Sequence, residues 1–382
     1  MKTVPSELAC RRALELTKAA LHGTVPDKNL FAGAGEKEWI ELFELSAVQG
    51  VMALSLNGTL QLPKDLQPPF ELKMRWVASM EVVEKRYRYC LETVEKLSAR
   101  FKENNIRMLL FKGLSLSRLY PVPCTREFGD IDIFLCGKAR EGDALLEQIA
   151  DRKHSSKKNV NFSYRGTLIE NHHTFLYHSI LRGFQRSENL EKRLVTVLTK
   201  AGFMGEGEPA ESNRTNGTLL FPPPDFDALY VSLHMLSHFP FGIALRHFCD
   251  LTVLFTAYKG KIDFSQYREA LSEAGLSRVA DAFVSLSVRY LGLKPEDAPP
   301  YQSDLALEDR IWNNVLSPPF FPLAIQKHTS FSIFIQKVRF LLSGYWKFEL
   351  IYPGKYWKRI LRSIFPARKS LTNHDIVNCE FI

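Results

Sequence analysis

Two aspartates separated by one apolar residue, Asp130 and Asp132, lie inside an apolar run, and this pattern constrains the fold more than any other part of the chain. The run continues through Ile133, Phe134 and Leu135, which is typical of a buried strand. Successive side chains of a strand point to opposite faces, so the two carboxylates share a face. Like charges side by side resist burial. The pattern therefore predicts either a solvated strand end or a site for a divalent cation such as Mg²⁺, which prefers carboxylate oxygens.

The composition is that of an ordinary globular protein. Apolar residues make up 45% of the 382 positions and charged residues 24%, which argues against a disordered chain. The six cysteines are scattered without a CxxC pair, as expected for reduced thiols in the cytosol. Residues 1–21 lack the apolar core of a signal peptide, and no apolar run reaches the roughly 18 residues that span a bilayer. We therefore expect a cytoplasmic protein without a transmembrane segment.

The net charge of +8 is concentrated near the C-terminus. Between Lys327 and Lys369 ten lysines and arginines stand against one acid, Glu349, and aromatic residues are interleaved with them. Cations alternating with aromatics suit contact with nucleic acid or with an anionic membrane surface. The alternative is a tail docked on its own protein, with the aromatics completing the core and the cations in water. The sequence leaves these three interpretations open for residues 327–369.

The spacing of apolar residues predicts helical ends and a mixed centre. Helical periodicity covers Ser6 to Leu21, Glu38 to Val51 and Glu71 to Asn104, and it returns after Pro224. We therefore expect an α+β fold in which a small mixed β-sheet is flanked by N- and C-terminal helical regions. The predicted units are an N-terminal helical region (1–104), a central core (105–223), a C-terminal helical domain (224–326) and a basic aromatic tail (327–382).

Short strand-like segments fill the centre of the chain. One segment, residues 106–111, precedes the break at Lys112-Gly113. Two more, Asn159–Tyr164 and Thr167–His172, are separated only by Arg165-Gly166, which suits a hairpin turn. Ala139 to Asp151 is predicted to be a helix, and the polar stretch 181–217 is expected to be an exposed insertion.

Taken in order, these motifs resemble the active-site core of the polymerase-β-type nucleotidyltransferase superfamily. The chain is similar in particular to a poorly characterised bacterial branch of that superfamily, often described simply as nucleotidyltransferase family protein. The resemblance covers most of residues 40–290. The motifs that carry it are Phe111-Lys112-Gly113, Arg126, Gly129-Asp130-Ile131-Asp132, Glu170-Asn171-His172, Leu233-His234, His238, and Arg246 with Asp250.

The resemblance implies that Asp130, Asp132 and Glu170 are catalytic and bind two Mg²⁺ ions. The ions would hold the triphosphate of an NTP and activate an acceptor hydroxyl, and residues 105–223 would form the catalytic core. Other residues would contact the nucleotide, by donating hydrogen bonds to its phosphates or by neutralising their charge. These nucleotide-binding residues are Lys112, Gly113, Ser115, Arg126 and His172.

Several of the matching residues have a second interpretation. By its two-residue spacing His172 shares a face with the third acid, so it is either an active-site neighbour or a buried structural histidine. His234 and His238 have the spacing of zinc ligands, but two ligands do not make a zinc site, and helix-packing histidines are favoured. Arg246 and Asp250, also four apart, either pair with each other on a helix or take part in the nucleotide site.

The sequence thus predicts a Mg²⁺-dependent nucleotidyltransferase that moves a nucleoside monophosphate from an NTP to an acceptor hydroxyl and releases pyrophosphate. The acceptor is left open among protein, RNA and small molecules. One alternative is a catalytically inactive nucleotide-binding or scaffold protein of the same fold, against which the presence of all three acids argues. Another is a toxin-like transferase acting on tRNA, which the basic aromatic tail would suit.

Overall fold

The computed structural model describes residues 5–176, 184–205, 207–211, 214–215, 219–316 and 342–354. The N-terminal region is helical, as predicted. Its helices are α1 (Glu7–His22), α2 (Glu36–Val48), α3 (Met52–Leu60) and α4 (Phe70–Glu103), with short 3₁₀ turns at Lys28–Leu30 and Lys64–Leu66.

Local capping explains where the first helix lies. The hydroxyl of Ser6 accepts a hydrogen bond from the amide of Ala9 at 3.2 Å, and Gly23 ends the helix in the left-handed conformation.

The sequence does not predict α3, because most of its residues are buried and no polar stripe marks it. Gly58 allows α3 to pack closely on α1, since a Cβ there would lie 2.3 Å from the carbonyl oxygen of Leu16.

A mixed sheet of seven strands, counted within the described residues, forms the centre. The strands are β1 (Leu109–Phe111), β2 (Asp130–Phe134), β3 (Asp151–Ser155), β4 (Asn159–Tyr164), β5 (Thr167–His172), β6 (Arg214–Thr215) and β7 (Leu219–Leu220). Their order across the sheet is β3-β4-β5-β2-β1-β7-β6. Strand β2 is parallel to β5 and antiparallel to β1. The strand with the two aspartates therefore lies in the middle of the sheet.

Strands β4 and β5 form the predicted hairpin. Arg165 and Gly166 both have a positive φ, 49° and 82°, as a two-residue turn of type I′ requires. The sequence does not predict β3, which begins at Asp151, where the expected helix was to end, and continues through the polar residues that follow it. Every residue of β3 is exposed at the edge of the sheet, so no apolar alternation reveals it.

The two faces of the sheet have different partners. One face carries Ile131, Ile133 and Ile169, which are fully buried against α4 and α6 (Ala139–Leu146). Burying each of these side chains contributes about 1.5–3 kcal/mol. The opposite face carries Asp130 and Asp132 of β2 and Glu170 and His172 of β5. It also carries Phe111, whose ring packs edge-on against Tyr230 at a centroid distance of 5.1 Å.

Helices also dominate the C-terminal part. They are α7 (Phe184–Lys200), α8 (Pro224–His238), α9 (Leu245–Ala257), α10 (Phe264–Glu273), α11 (Ser277–Leu291), α12 (Leu305–Leu316) and α13 (residues 342–351). Helix α7 corrects the prediction of an exposed insertion over residues 181–217. Leu190, Leu194 and Leu198 form a buried stripe at helical spacing, although the charged residues between them hide it in the sequence.

Only residues 342–354 of the basic aromatic tail belong to the described part of the chain, so residues 327–341 and 355–382 lie outside it. Phe348 is buried in the core formed by the C-terminal helices. The ring of Trp346 packs edge-on against a core phenylalanine at 5.5 Å. Within residues 342–354, Trp346, Phe348 and Tyr352 therefore join the protein's own core, whereas Tyr345 is exposed.

The predicted α+β class is confirmed, since a mixed sheet lies between helical regions at both ends of the chain. Within the described ranges, no helix combines the length and the apolar character that crossing a bilayer requires. Helix α4 has 34 residues, but charged side chains occur along its whole length.

Candidate active site

The polar face of the sheet brings four of the predicted residues together. Asp130 and Asp132 are two residues apart on β2, and Glu170 and His172 are two residues apart on β5. The parallel register pairs Asp132 with Glu170. Because residues two apart on a strand share a face, all four side chains point to the same side of the sheet. We call Asp130, Asp132 and Glu170 the acid group.

Lys112 contacts both aspartates of the acid group. Its Nζ lies 3.1 Å from Oδ1 of Asp132 and 3.6 Å from Oδ2 of Asp130. The prediction that the two carboxylates share a face is confirmed, because one ammonium reaches both. The side chain of Asp132 is fully shielded from solvent and that of Asp130 is 14% exposed. The alternative of a solvated strand end is therefore wrong.

Lys112 has a backbone conformation that is rare for a residue with a Cβ. Its φ is 59° and its ψ is −141°. Such conformations cost of order 1–3 kcal/mol and persist where the surroundings hold them. Here Lys112 directly follows Phe111, which is paired with Asp132 on the neighbouring strand. The ion pairs with two buried carboxylates help to hold the conformation.

His172 lies between two members of the acid group. Its Nε2 is 2.9 Å from Oδ1 of Asp132 and 3.3 Å from Oε2 of Glu170. Asn161 on β4 donates a hydrogen bond to the other oxygen of Glu170 at 3.1 Å. The imidazole is fully buried, with the ring of Phe111 edge-on at 4.9 Å. The geometry therefore matches the interpretation of His172 as a neighbour of the acids.

Burial and neighbouring charges shift the pKa values of the acids in opposite directions. Burial, together with the adjacent Asp132 carboxylate, raises the pKa of Asp130. Burial also acts on Asp132, but Lys112 and His172 outweigh it and lower the pKa of that carboxyl. A hydrogen bond from His172 likewise lowers the pKa of Glu170 against the effect of burial. Asp132 and Glu170 are therefore the stronger acids and ionise more readily than Asp130.

Asp132, Glu170 and His172 form a set that can hold a cation. One potential ligand atom from each lies within 4.8 Å of the others, and no other three His, Cys, Asp or Glu residues of the described chain are so arranged. Oδ2 of Asp132 is buried, and no group of the described residues donates a hydrogen bond to it. A buried anionic oxygen without a donor is costly unless a ligand binds it. Two carboxylates and an imidazole suit a divalent cation.

The predicted phosphate contacts begin directly after Lys112, in the five-residue helix α5 (Gly113–Ser117). A Cβ on Gly113 would lie 3.5 Å from the carbonyl oxygen of Asp130, so the backbone of Gly113 adjoins the acid group. Ser115 is fully buried, and within the described residues its hydroxyl has no hydrogen-bond partner. Gly113 thus lies at the acid group, whereas Ser115 lies in the interior of the protein.

Arg126 is bound to Asp250 on α9. Its Nε and Nη2 donate to the two oxygens of Asp250 at 3.1 and 2.7 Å, and Tyr120 donates its hydroxyl to the same carboxylate at 2.7 Å. Asp250 therefore takes Arg126 as its ion-pair partner, and the alternative of a pair with Arg246 is wrong. The pair ties the loop before β2, which includes the 3₁₀ turn Pro123–Thr125, to the C-terminal helices.

Comparison with known families agrees with this geometry. The family described as Uncharacterised nucleotidyltransferase matches residues 35–292, which is well over half of the chain and contains the whole acid group. The chain belongs to this family. Its general role is therefore that of a nucleotidyltransferase, and the resemblance seen in the sequence is confirmed at the level of the family. Neither a curated protein nor a solved structure matches the chain.

The histidines of the nucleotidyltransferase's C-terminal helices do not form a zinc site with other described residues. The rings of His234 and His238 on α8 lie edge-on at 4.4 Å, and His247 on α9 lies 6.4 Å from His238. Burial and the nearby Lys112 lower the pKa of His238 to about 4, so it is neutral at pH 7. No third ligand atom of the described chain completes the pair. This agrees with helix-packing histidines.

Two residues beside the acid group have no signal in the sequence. Lys158 lies in the turn between β3 and β4, where burial and repulsion by Lys112 lower its pKa to about 8. Tyr230 on α8 covers Phe111, and burial raises the pKa of its hydroxyl. A lysine in a polar turn and a tyrosine in an apolar helical stripe are both ordinary, so only the fold places them at this site.

Proposed function

We propose that this protein transfers a nucleoside monophosphate from an NTP to an acceptor hydroxyl in a Mg²⁺-dependent reaction that releases pyrophosphate. The observation that carries the proposal is the acid group and its surroundings. Asp132 has one buried oxygen without a donor among the described residues, Glu170 lies beside it, and Lys112 lies within ion-pair distance. Three carboxylates on one sheet face repel one another, so the arrangement favours a bound cation.

The acid group fits Mg²⁺. Asp130, Asp132 and Glu170 offer the carboxylate oxygens that this hard cation prefers, and it commonly keeps one or two carboxylates beside substrate phosphates. Bound there, Mg²⁺ would neutralise charge on the triphosphate and make the acceptor hydroxyl more acidic. His172 would keep Asp132 and Glu170 in place, because its Nε2 lies near an oxygen of each.

The remaining residues would orient the nucleotide. Lys112 would neutralise charge on the phosphates, the backbone of Gly113 and the hydroxyl of Ser115 would offer donors, and Arg126 would hold the loop before β2 in position. In the transfer the acceptor oxygen bonds to the α-phosphorus as the bond to the bridging oxygen breaks. Pyrophosphate leaves with that electron pair, and the hydroxyl proton passes to a carboxylate of the acid group.

We assign the chemistry to residues 105–223, with 1–104 and 224–326 as flanking helical regions. In support, the strands lie within 105–223, and helices from both flanking regions pack on the sheet. The cytoplasm is the proposed location. The five cysteines of the described chain are free thiols, as a reducing compartment allows.

Label transfer tests the proposal. The protein is incubated with Mg²⁺, a total cell extract and each of the four NTPs, radiolabelled on the α-phosphate. We expect one NTP to label one fraction (protein, RNA or small molecules) only when Mg²⁺ is present. Asp132→Asn should abolish labelling. Asp143→Asn is the matched control, because Asp143 accepts hydrogen bonds from His173 and Asn171 and lies outside the acid group.

The pattern of labelling separates the alternatives. Label confined to tRNA would favour the tRNA-directed transferase. No label from any NTP, in a protein that still binds nucleotide, would favour the catalytically inactive alternative. Equal labelling by the wild type and Asp132→Asn would contradict the assignment of the acid group.

A further inference from the structure

Arg246 is a cation near the acid group that no acid of the described chain pairs with. It lies in the first turn of α9, one helical turn before Asp250, but Asp250 is bound to Arg126. Among the described residues, no oxygen accepts a hydrogen bond from the guanidinium of Arg246 and no carboxylate forms an ion pair with it. A partly buried guanidinium that keeps its charge and lacks an acceptor indicates that its partner is a ligand.

The acids closest to Arg246 are engaged elsewhere. Asp130 and Glu127 both act to raise the pKa of Arg246, which shows that their charges reach it. However, Oδ2 of Asp130 lies 3.6 Å from the ammonium of Lys112. Glu127 accepts a hydrogen bond at 3.1 Å from the amide of Ala53, in the first turn of α3. Neither carboxylate is therefore available as the partner of Arg246.

The two arginines of this region respond to their surroundings in opposite ways. Burial acts to lower the pKa of Arg126, but Asp250 outweighs it and raises that pKa overall. Burial and the neighbouring charge of Arg126 lower the pKa of Arg246, and the surrounding acids do not restore it. One carboxylate thus serves two guanidinium groups, which leaves an excess of positive charge on Arg246.

This excess charge lies at the Asp130 end of the acid group. A Cβ on Gly113 would lie 3.5 Å both from Nη1 of Arg126 and from the carbonyl oxygen of Asp130. Arg126 and Asp130 are also among the charges that act on the pKa of Arg246. The uncompensated cation therefore faces the region of Gly113, whose backbone we propose as a phosphate contact.

The N-terminal helical region holds Arg246 in place. Its amide donates a hydrogen bond to the carbonyl oxygen of Gln49 at 3.2 Å. A Cβ on Gly50 would lie 2.8 Å from Cδ of Arg246, so the glycine leaves room for the stem of the arginine. A cation in the first turn of a helix is disfavoured by the helix dipole, so helix stability does not explain this residue.

We infer that Arg246 binds the triphosphate of the NTP, as a substrate-binding residue that the C-terminal helices contribute to the site. The inference rests on the proposed transfer and adds one residue to it. A guanidinium presents paired donors that match the oxygens of a phosphate. The triphosphate supplies the negative charge that the acids around Arg246 do not, and the dipole of α9 favours an anion there.

Binding of inorganic tripolyphosphate tests the inference without knowledge of the base. Isothermal titration calorimetry is carried out with the full chain and Mg²⁺. We expect Arg246→Gln to bind tripolyphosphate about 10- to 100-fold more weakly than the wild type, because charge-assisted hydrogen bonds are lost. Arg246→Lys keeps the charge without the paired donors and should lose less. Arg278→Gln is the control, because it removes the same charge from the surface of α11, where Arg278 pairs with Asp304.

Urea denaturation separates a binding role from a structural one. Arg246→Gln should leave the free energy of unfolding unchanged or raise it, because it removes repulsion from Arg126. Arg126→Gln should lower it, because Asp250 loses its charged partner. If Arg246→Gln lowers the free energy of unfolding as much as Arg126→Gln does, Arg246 is structural and the inference is wrong.

A second titration distinguishes the phosphates of the NTP from those of a nucleic acid acceptor. We expect the wild type and Arg246→Gln to bind an RNA oligonucleotide with a 5′-hydroxyl equally. If only the binding of the oligonucleotide is weakened, Arg246 serves an acceptor and the inference is overturned. Equal binding of tripolyphosphate by the wild type and Arg246→Gln, or none by either, would also overturn it. Label transfer by the wild type, measured separately, shows whether the proposed function stands in those cases.

Discussion

The acid group on the sheet and the Arg126–Asp250 pair are both buried, but only the pair is complete in itself. Both oxygens of Asp250 accept hydrogen bonds, from the two guanidinium nitrogens and from a tyrosine hydroxyl. In the acid group, Asp132 shares one oxygen between Lys112 and His172, and its other oxygen has no donor among the described residues. A saturated one-to-one pair is structural, whereas a surplus of acids indicates a ligand.

Another buried acid, Asp227, is only partly paired. Oδ2 of Asp227 on α8 accepts a hydrogen bond from Tyr258 at 3.1 Å and lies 3.5 Å from Nη2 of Arg118. Its Oδ1 is buried without a donor among the described residues. Burial raises the pKa of Asp227 to about 7. Asp227, an incompletely paired acid outside the acid group, is thus protonated more readily than an exposed aspartate.

The largest expected effect is on activity. Glu170→Gln keeps the size of the side chain, replaces one acceptor oxygen with an NH₂ group and removes one negative charge from the acid group. We expect nucleotidyl transfer to fall more than about 100-fold, because lost metal contacts cost at least as much as lost supporting contacts. The free energy of unfolding should change by less than about 1 kcal/mol, since repulsion among the acids is relieved. Label transfer and urea denaturation measure the two quantities. A large loss of unfolding free energy would indicate instead that Glu170 has a structural role.

The opposite result is expected at the complete pair. Asp250→Ala leaves the guanidinium of Arg126 buried without its carboxylate, which should lower the free energy of unfolding by about 3–5 kcal/mol. Glu147→Ala is the control, because Glu147 pairs with Arg152 on the surface at 2.8 Å, where such pairs contribute about 0–1 kcal/mol. Urea denaturation compares the two variants. If both variants lose the same free energy of unfolding, the buried pair contributes no more to stability than the surface pair.

A smaller effect concerns pH. Because the pKa of Asp227 is raised to about 7, the folded protein holds a proton between about pH 4 and pH 7 that the unfolded chain releases. This contribution to stability is greatest at low pH and is lost as pH rises towards 7. Relative to Asp227→Asn, the wild type should lose about 3 kcal/mol of unfolding free energy between pH 5 and pH 8. If the free energy of unfolding depends on pH in the same way in both proteins, the pKa of Asp227 is not raised.

Local patterns in the sequence predicted the features that depend on neighbours in the chain. The hairpin strands Asn159–Tyr164 and Thr167–His172 are found with the predicted bounds, and the long helix α4 differs from its prediction by one residue at each end. Periodicity was less useful where an element has no one-sided stripe. Helix α3 is buried around most of its surface, and the edge strand β3 is wholly exposed.

The sequence by itself determined that Asp130 and Asp132 share a face, because the side chains of a strand repeat every two residues whatever surrounds it. It also determined the order of motifs that is typical of a nucleotidyltransferase. Only the tertiary structure decided what those acids contact. Lys112, His172 and the Arg126–Asp250 pair reach their partners across 20, 40 and 124 positions of sequence. Such contacts follow from strand register and helix packing, which residue spacing alone does not specify.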